Sequence, residues 1–290
     1  TDAGGLRCWG DNFGGVLGDG STTTRRTPVD VVGLTSGVAS VVLGSAHTCA
    51  LTDSGGVKCW GSNVAGQLGD PASFGSRVPV DVPGLTSGFT SVAVGSGHTC
   101  ALDASGGVAC WGSNLSGQLG DGSTTTRRAP VDVVGLAADV SSIALRDTST
   151  CALMDAGGVK CWGKNDRGQL GDGSTTDRPE PTDVLGLTSV VSALALGRSH
   201  TCALTDAGGV RCWGGNAYGQ LGDGSTVDRH APVDVAGLTS GVAAIASGPD
   251  HACALTDAGA VACWGRNVDG RLGVGFVSDG VTTPAGLYAD

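Results

Sequence analysis

The sequence predicts an all-β protein, a β-propeller built from four-stranded blades. Three observations predict it: a 51-residue repeat along the whole chain, strand-type alternation with no helical period of useful length, and glycines at fixed offsets in each repeat. Trp9, Trp60, Trp111, Trp162, Trp213 and Trp264 are each 51 residues apart, and a cysteine precedes every one of them. A second cysteine series, Cys49, Cys100, Cys151, Cys202 and Cys253, keeps the same spacing with five members in place of six.

Four short strands are expected in each period. In one copy they are VASVVLG (38–44), HTCALT (47–52), GVKCWG (56–61) and VPVDV (78–82), the last reached through a long loop. Valine, threonine and tryptophan suit strands, and glycine, aspartate and serine separate them. Four strands per repeat, arrayed about an axis, leave few open sheet edges, which is the logic of a propeller. The chain is read as a single domain, 1–290, with units near 1–34 (a half unit), 35–85, 86–136, 137–187, 188–238 and 239–290. Five complete units and one split unit make about six blades.

The cysteines follow from this layout. Cys49 and Cys59 flank a turn at 53–56 and oppose each other across a hairpin, where Cα atoms lie about 4.5–5.5 Å apart and a disulfide can form. The same reasoning pairs Cys100 with Cys110, Cys151 with Cys161, Cys202 with Cys212 and Cys253 with Cys263. Each such loop closure stabilises by roughly 2.5–3 kcal/mol in the chain-entropy model. Cys-x₉-Cys is not a zinc spacing and no histidine pair supplements it. Cys8 is left unpaired; its partner by spacing falls ahead of Thr1, so the chain is expected to have lost it. Five disulfides imply an oxidising compartment: secreted, periplasmic or cell-surface.

Composition narrows the partners. The 290 residues are 40% apolar, enough for a sizeable core, and carry a formal charge of −10 with no basic run. Such a chain is a poor candidate for nucleic acid or for anionic membrane. No apolar run approaches the roughly 18–20 residues that would insert in a bilayer.

Gly44, His47, Thr48, Ala50, Leu51, Gly56, Val57, Trp60, Gly61, Asn63, Gly66, Gln67, Leu68 and Gly69 form a motif that returns in the other units. In this the chain resembles the regulator of chromosome condensation repeat family. The resemblance implies a propeller, most often seven-bladed. It also implies roles such as nucleotide exchange on small GTPases, chromatin binding, ultraviolet-B reception or β-lactamase inhibition. The cysteine pairs are not a general feature of that family and suggest a bacterial-style extracellular version. Two strands of a split blade are missing, so either the natural chain continues or the ring is open.

The residues weigh those roles differently. Light reception would need tryptophans in the Gly-x-x-His turn, yet all six sit in Cys-Trp-Gly, where packing between blades is expected. Chromatin binding would need basic patches. An inhibitor would need an aromatic-rich face, and only Phe13, Phe74 and Tyr218 are loop aromatics. His47, His98, His200 and His251 are one per blade, with Ser149 in the third unit. Each imidazole is expected to bond a neighbouring turn rather than bind metal. The Asp-Gly-Ser segments at Asp19, Asp121, Asp172 and Asp223 read as turns, since one carboxylate per loop is a thin calcium site. No cofactor and no catalytic constellation is expected. Arg146, standing where other units have Gly44, Gly95, Gly197 and Gly248, has no account at this level.

The expected role is a non-enzymatic binding or scaffold propeller with a protein or glycan partner. The variable loops fall on one face and nominate Phe13, Asp147, Asp166, Arg167, Arg198, Tyr218, Asp250 and Asp269. Two other classes stay open: a structural subunit that self-associates through the incomplete blade, and a propeller enzyme such as a lyase.

Overall fold

The HTCALT segment is apolar or small on both faces, so it needs cover on both sides, and the fold supplies it. In the computed structural model, which describes residues 1 and 4–287, this segment is β4 (His47–Thr52), buried at every position but its last. It lies inside a sheet whose other strands are β3 (Val38–Leu43), β5 (Val57–Ser62) and β6 (Gly75–Asp81), in chain order. The pattern recurs as β7 (Phe89–Val94), β8 (His98–Asp103), β9 (Val108–Gly112) and β10 (Arg127–Asp132), again one four-stranded antiparallel sheet.

The chain divides into two compact units, 1–150 and 151–290. The first holds these two sheets and a two-stranded sheet, β1 (Arg7–Gly10) with β2 (Arg25–Asp30), which is the split unit expected from the sequence. The second holds β15 (Val191–Leu196), β16 (His200–Thr205), β17 (Val210–Gly214) and β18 (Arg229–Asp234), then β19 (Val242–Ser247), β20 (His251–Thr256), β21 (Val261–Asn267) and β22 (Ser278–Leu287). The remaining repeat contributes β11 (Val140–Arg146), β12 (Ser149–Met154), β13 (Val159–Gly163) and β14 (Arg178–Asp183), and the division falls inside β12. β22 pairs with β21 from Ser278 to Leu287.

All five expected disulfides are formed, Cys49–Cys59, Cys100–Cys110, Cys151–Cys161, Cys202–Cys212 and Cys253–Cys263, each with Cα atoms 4.1 Å apart. Register explains them: Cys49 opposes Cys59 directly, as Cys202 opposes Cys212 and Cys253 opposes Cys263. The bond draws the strands slightly closer than an open pair. Cys8 is the free cysteine.

The cores form where one repeat meets the next. Cys49, Cys59, Leu68, Val82 and Leu85 of one repeat share a cluster with Val92 and Trp111 of the following one. In the second unit Cys202, Cys212, Leu221 and Val235 meet Trp264 in the same way. Five tryptophans are fully buried. Trp9 corrects the expectation for the sixth: it is 61% exposed, and among the described residues β1 is paired with β2 alone.

The glycine of Cys-Trp-Gly has a backbone reason. Gly61 has φ +102 and sits at a bulge where pairing with β6 shifts register. A β-carbon there would stand 2.7 Å from Ala46 O and 2.9 Å from His47 Cα. The turn before β4 can therefore pack directly on the β5 backbone.

Candidate functional site

Antiparallel strands put the turn between a sheet's first two strands and the loop between its last two at the same end. Their backbones meet there: Ser62 N donates to Ala46 O (2.8 Å), Ser113 N to Gly97 O (2.8 Å), Gly215 N to Ser199 O (2.7 Å) and Arg266 N to Asp250 O (2.8 Å). This is the loop end. The hairpin turns and the connections between sheets lie at the other end, where Val57 N donates to Leu85 O (2.8 Å) and Phe89 N to Gly55 O (3.0 Å).

Each long loop is organised by a buried asparagine. Asn114 accepts from Leu119 N through Oδ1 (2.9 Å) and donates through Nδ2 to Asp121 Oδ1, Ser123 O and Thr125 O (3.0, 3.0 and 3.1 Å). Asp121 also receives Ser123 N and Oγ and, on its other oxygen, Arg127 Nε at 2.8 Å. Asp19, Asp172 and Asp223 have the same set of donors. Burial raises the Asp19 pKa, but donors from Ser21, Arg25 and Asn12 outweigh it and hold the carboxyl at about 2. These carboxylates are saturated by the protein's own N–H and O–H groups, as a turn requires. Among the described residues no three His, Cys, Asp or Glu side chains are grouped to hold a metal ion.

His47 and His98 do not bond a turn, as the sequence suggested, but a threonine of the next repeat. His47 Nε2 lies 2.9 Å from Thr99 Oγ1, and His98 Nε2 lies 3.0 Å from Thr150 Oγ1. Thr99 Oγ1 donates to Gln67 O (2.8 Å), so it must accept from the imidazole, which assigns the proton of His47 to Nε2. Gln67 O also accepts Trp111 Nε1 at 2.9 Å. Sequence reasoning did not foresee this relay because its members lie about 30 and 50 residues apart.

The loop tips carry the variation. Equivalent positions 13, 64 and 115 hold Phe13, Val64 and Leu115 in the first unit, exposed by 86%, 74% and 80%. Phe74 lies in the same loop as Val64, exposed on one side and covered by the Arg128 guanidinium 5.2 Å from its ring centre. In the second unit the equivalent positions hold Asp166, Ala217 and Val268, and the polar residues in and beside these tips are engaged. Asp166 pairs with Lys164 (3.2 Å) and accepts from Gln169 Nε2, Arg167 reaches Asp228 (3.4 Å), and Asp269 pairs with Arg271. Tyr218 lies under Arg266, 4.9 Å from its ring centre. The turn residues differ again. Asp147 has φ +43 and accepts from Ser96 Oγ (3.0 Å), Arg198 N donates to Pro249 O, and Asp250 is buried against Arg266 (3.3 Å). The aromatic and aliphatic tips are thus more available to a partner than the nominated charges.

Repeated four-stranded antiparallel blades, clamped from one repeat to the next and ending in variable loops, define a β-propeller of tandem repeats. The chain belongs to the regulator of chromosome condensation (RCC1) repeat family, whose model matches residues 4–51, 54–102, 105–153, 156–204 and 207–255. It is 33% identical over 272 residues to the Ultraviolet-B receptor UVR8 of Arabidopsis thaliana, covering 92% of this chain and 61% of the receptor. It is 36% identical over 280 residues to the E3 ubiquitin-protein ligase HERC2 of Homo sapiens, covering 92% of this chain and 6% of the ligase. The chain therefore spans about three-fifths of the receptor's length and a small part of the ligase. Among solved structures, human WBSCR16 superposes with a TM-score of 0.76 at 28% identity, covering 87% of this chain and 67% of that one. Yeast RCC1 (Prp20), solved bound to Kap60, shares the fold with a TM-score of 0.62 at 19% identity, covering 98% of this chain and 84% of that one.

Proposed function

We propose that this chain is a non-catalytic binding scaffold that works in an oxidising, extracellular setting and engages a protein through the loop end of its first unit. The observation that carries the reading is the row of tips at Phe13, Val64 and Leu115, each at least 74% exposed at an equivalent repeat position. Repeats that agree in nearly every core letter are free to vary there, and three apolar side chains at exposed loop tips suit contact with another protein. Aliphatic tips offer no hydrogen bonds to a sugar, which favours protein over glycan. The five disulfides support the oxidising setting. Among the described residues no helix is long and apolar enough to cross a membrane. Relatives carrying this repeat include a receptor and a ubiquitin ligase, so the repeat serves in proteins of different activity.

The test is quantitative cross-linking of the native protein to its surroundings, with Phe13→Ser/Val64→Ser/Leu115→Ser beside wild type. A partner that loses at least tenfold in recovery from the triple variant, while melting temperature is unchanged, supports the reading. A partner recovered equally by both overturns it.

A second reading rests on the two-stranded sheet. Among the described residues β1 pairs with β2 alone, Trp9 is largely exposed, and a cavity of about 420 Å³ lies against Cys8, Trp9, Val16 and Val41. Edge pairing between copies would cover it. Sedimentation of wild type and Trp9→Ser over a wide concentration range distinguishes self-association from binding at the loop end.

A further inference from the structure

One position in the repeat is a built-in ion pair that faces solvent. Lys58 on β5 opposes Asp81 on β6, with Nζ 2.5 Å from Oδ1. Arg7 opposes Asp30 (2.7 Å), Lys160 opposes Asp183 (2.6 Å), and Arg211 opposes Asp234 (2.8 Å). In the repeat formed by β7–β10 the acid remains but the base is gone: Asp132 opposes Ala109. Among the described residues Asp132 has no cationic partner. The last repeat also has alanine there, but Ala262 opposes Gly286 and no acid is left behind.

The place is more open beside Ala109: where Arg211 stands opposite Asp234 the equivalent cavity measures about 220 Å³, roughly half as much. A cavity of about 470 Å³ is bounded by Leu85, Phe89, Ala109, Pro130, Asp132 and Leu136, all within the first unit and at the connection end of its sheets. Phe89 also breaks the repeat, since Val38, Val140, Val191 and Val242 hold its position. Asp103 lines the same cavity, but its carboxylate is spent on Ser105 N, Ser105 Oγ and Gly107 N. The cavity therefore has apolar walls and one carboxylate unmatched at its rim.

We infer that this cavity takes the side chain of a lysine or arginine presented by a partner protein, which occupies the place that Lys58 or Arg211 fills from within in other repeats. The chain itself makes the ion pair of this position four times over. Such a side chain lays its methylene stem along Leu85, Phe89 and Leu136 and brings its charge to Asp132, the ordinary way a long cation covers apolar surface. The net charge of −10 favours approach of a basic segment. The site is separate from the loop tips and stands or falls without them.

The probes are Nα-acetyl-lysine methylamide and its uncharged counterpart, Nα-acetyl-norleucine methylamide, titrated by NMR chemical shift. The lysine probe should bind in the millimolar range and at least threefold tighter than norleucine. Asp132→Asn should erase that difference. Ala109→Lys restores the residue used at the equivalent position of other repeats, so it should fold with an unchanged or higher melting temperature and abolish binding. Equal binding of both probes, binding that survives Ala109→Lys, or no binding of the lysine probe overturns the inference.

Discussion

Gly44 lies against the ring of His47 so closely that a β-carbon on it would stand 2.8 Å from Nδ1. The same glycine meets the same histidine, closer still, at Gly95 and His98, Gly197 and His200, and Gly248 and His251. The third repeat changes both partners, to Arg146 and Ser149. Arg146 is thus explained: the large side chain is admitted where the ring is absent. Ser149→His alone should therefore destabilise by about 1–3 kcal/mol through overpacking, and adding Arg146→Gly should recover most of the loss. A double-mutant cycle in urea measures it; additive effects would break the link.

Stability should fall as pH is lowered from about 6.5. Burial holds His47 at about 4, and burial with the nearby charge of His47 holds His98 at about 3, below the 6.5 of an exposed histidine. Each Nε2–H is donated to a threonine, and each Nδ1 is buried with nothing to receive a second proton. Between 6.5 and these values the unfolded chain binds protons that the native chain does not, so stability is present above this window and is lost on descending through it. The slope is up to about 1.4 kcal/mol per pH unit for each histidine. His47→Ser, the residue of the third repeat, should make the slope shallower by one histidine. Asp19, held at about 2, adds a second loss below pH 4 as it protonates.

Denatured without reduction, the protein should take up one alkyl group, at Cys8, and all eleven after reduction. Intact mass reads this directly. Cys49→Ser/Cys59→Ser should lower stability by about 2–3 kcal/mol, since the bridge closes a short hairpin loop and shares a core with Trp111 of the next repeat.

Trp111→Phe should cost about 2–4 kcal/mol, although most of the ring volume stays. Gln67 O is buried and takes two donors, Trp111 Nε1 and Thr99 Oγ1, and the change removes one of them while leaving a cavity. Trp9→Phe, at an exposed position, should cost less than 0.5 kcal/mol. Equal losses at the two sites would refute the clamp.

The sequence by itself determined the strands, the repeat and the five disulfides. Those depend on neighbours within one hairpin, and a direct cross-strand pair follows from counting residues about a turn. Hydrophobic alternation and the placing of Cys49 and Cys59 needed no knowledge of what packs alongside. The tertiary structure decided the rest. It assigned His47 to Thr99 in place of a turn, exposed Trp9, gave Arg146 its reason and set Asp132 over a cavity. The bond of His47 to Thr99 and the place of Asp132 opposite Ala109 depend on residues about 20 to 50 positions distant, brought near by the stacking of one sheet on the next or by strand pairing across a long loop, whereas Arg146 answers to Ser149 three positions on through a ring contact that only the folded turn shows. The physical reason is that a repeat states its own local bonds, whereas a missing partner becomes visible only when the neighbouring element stands beside it.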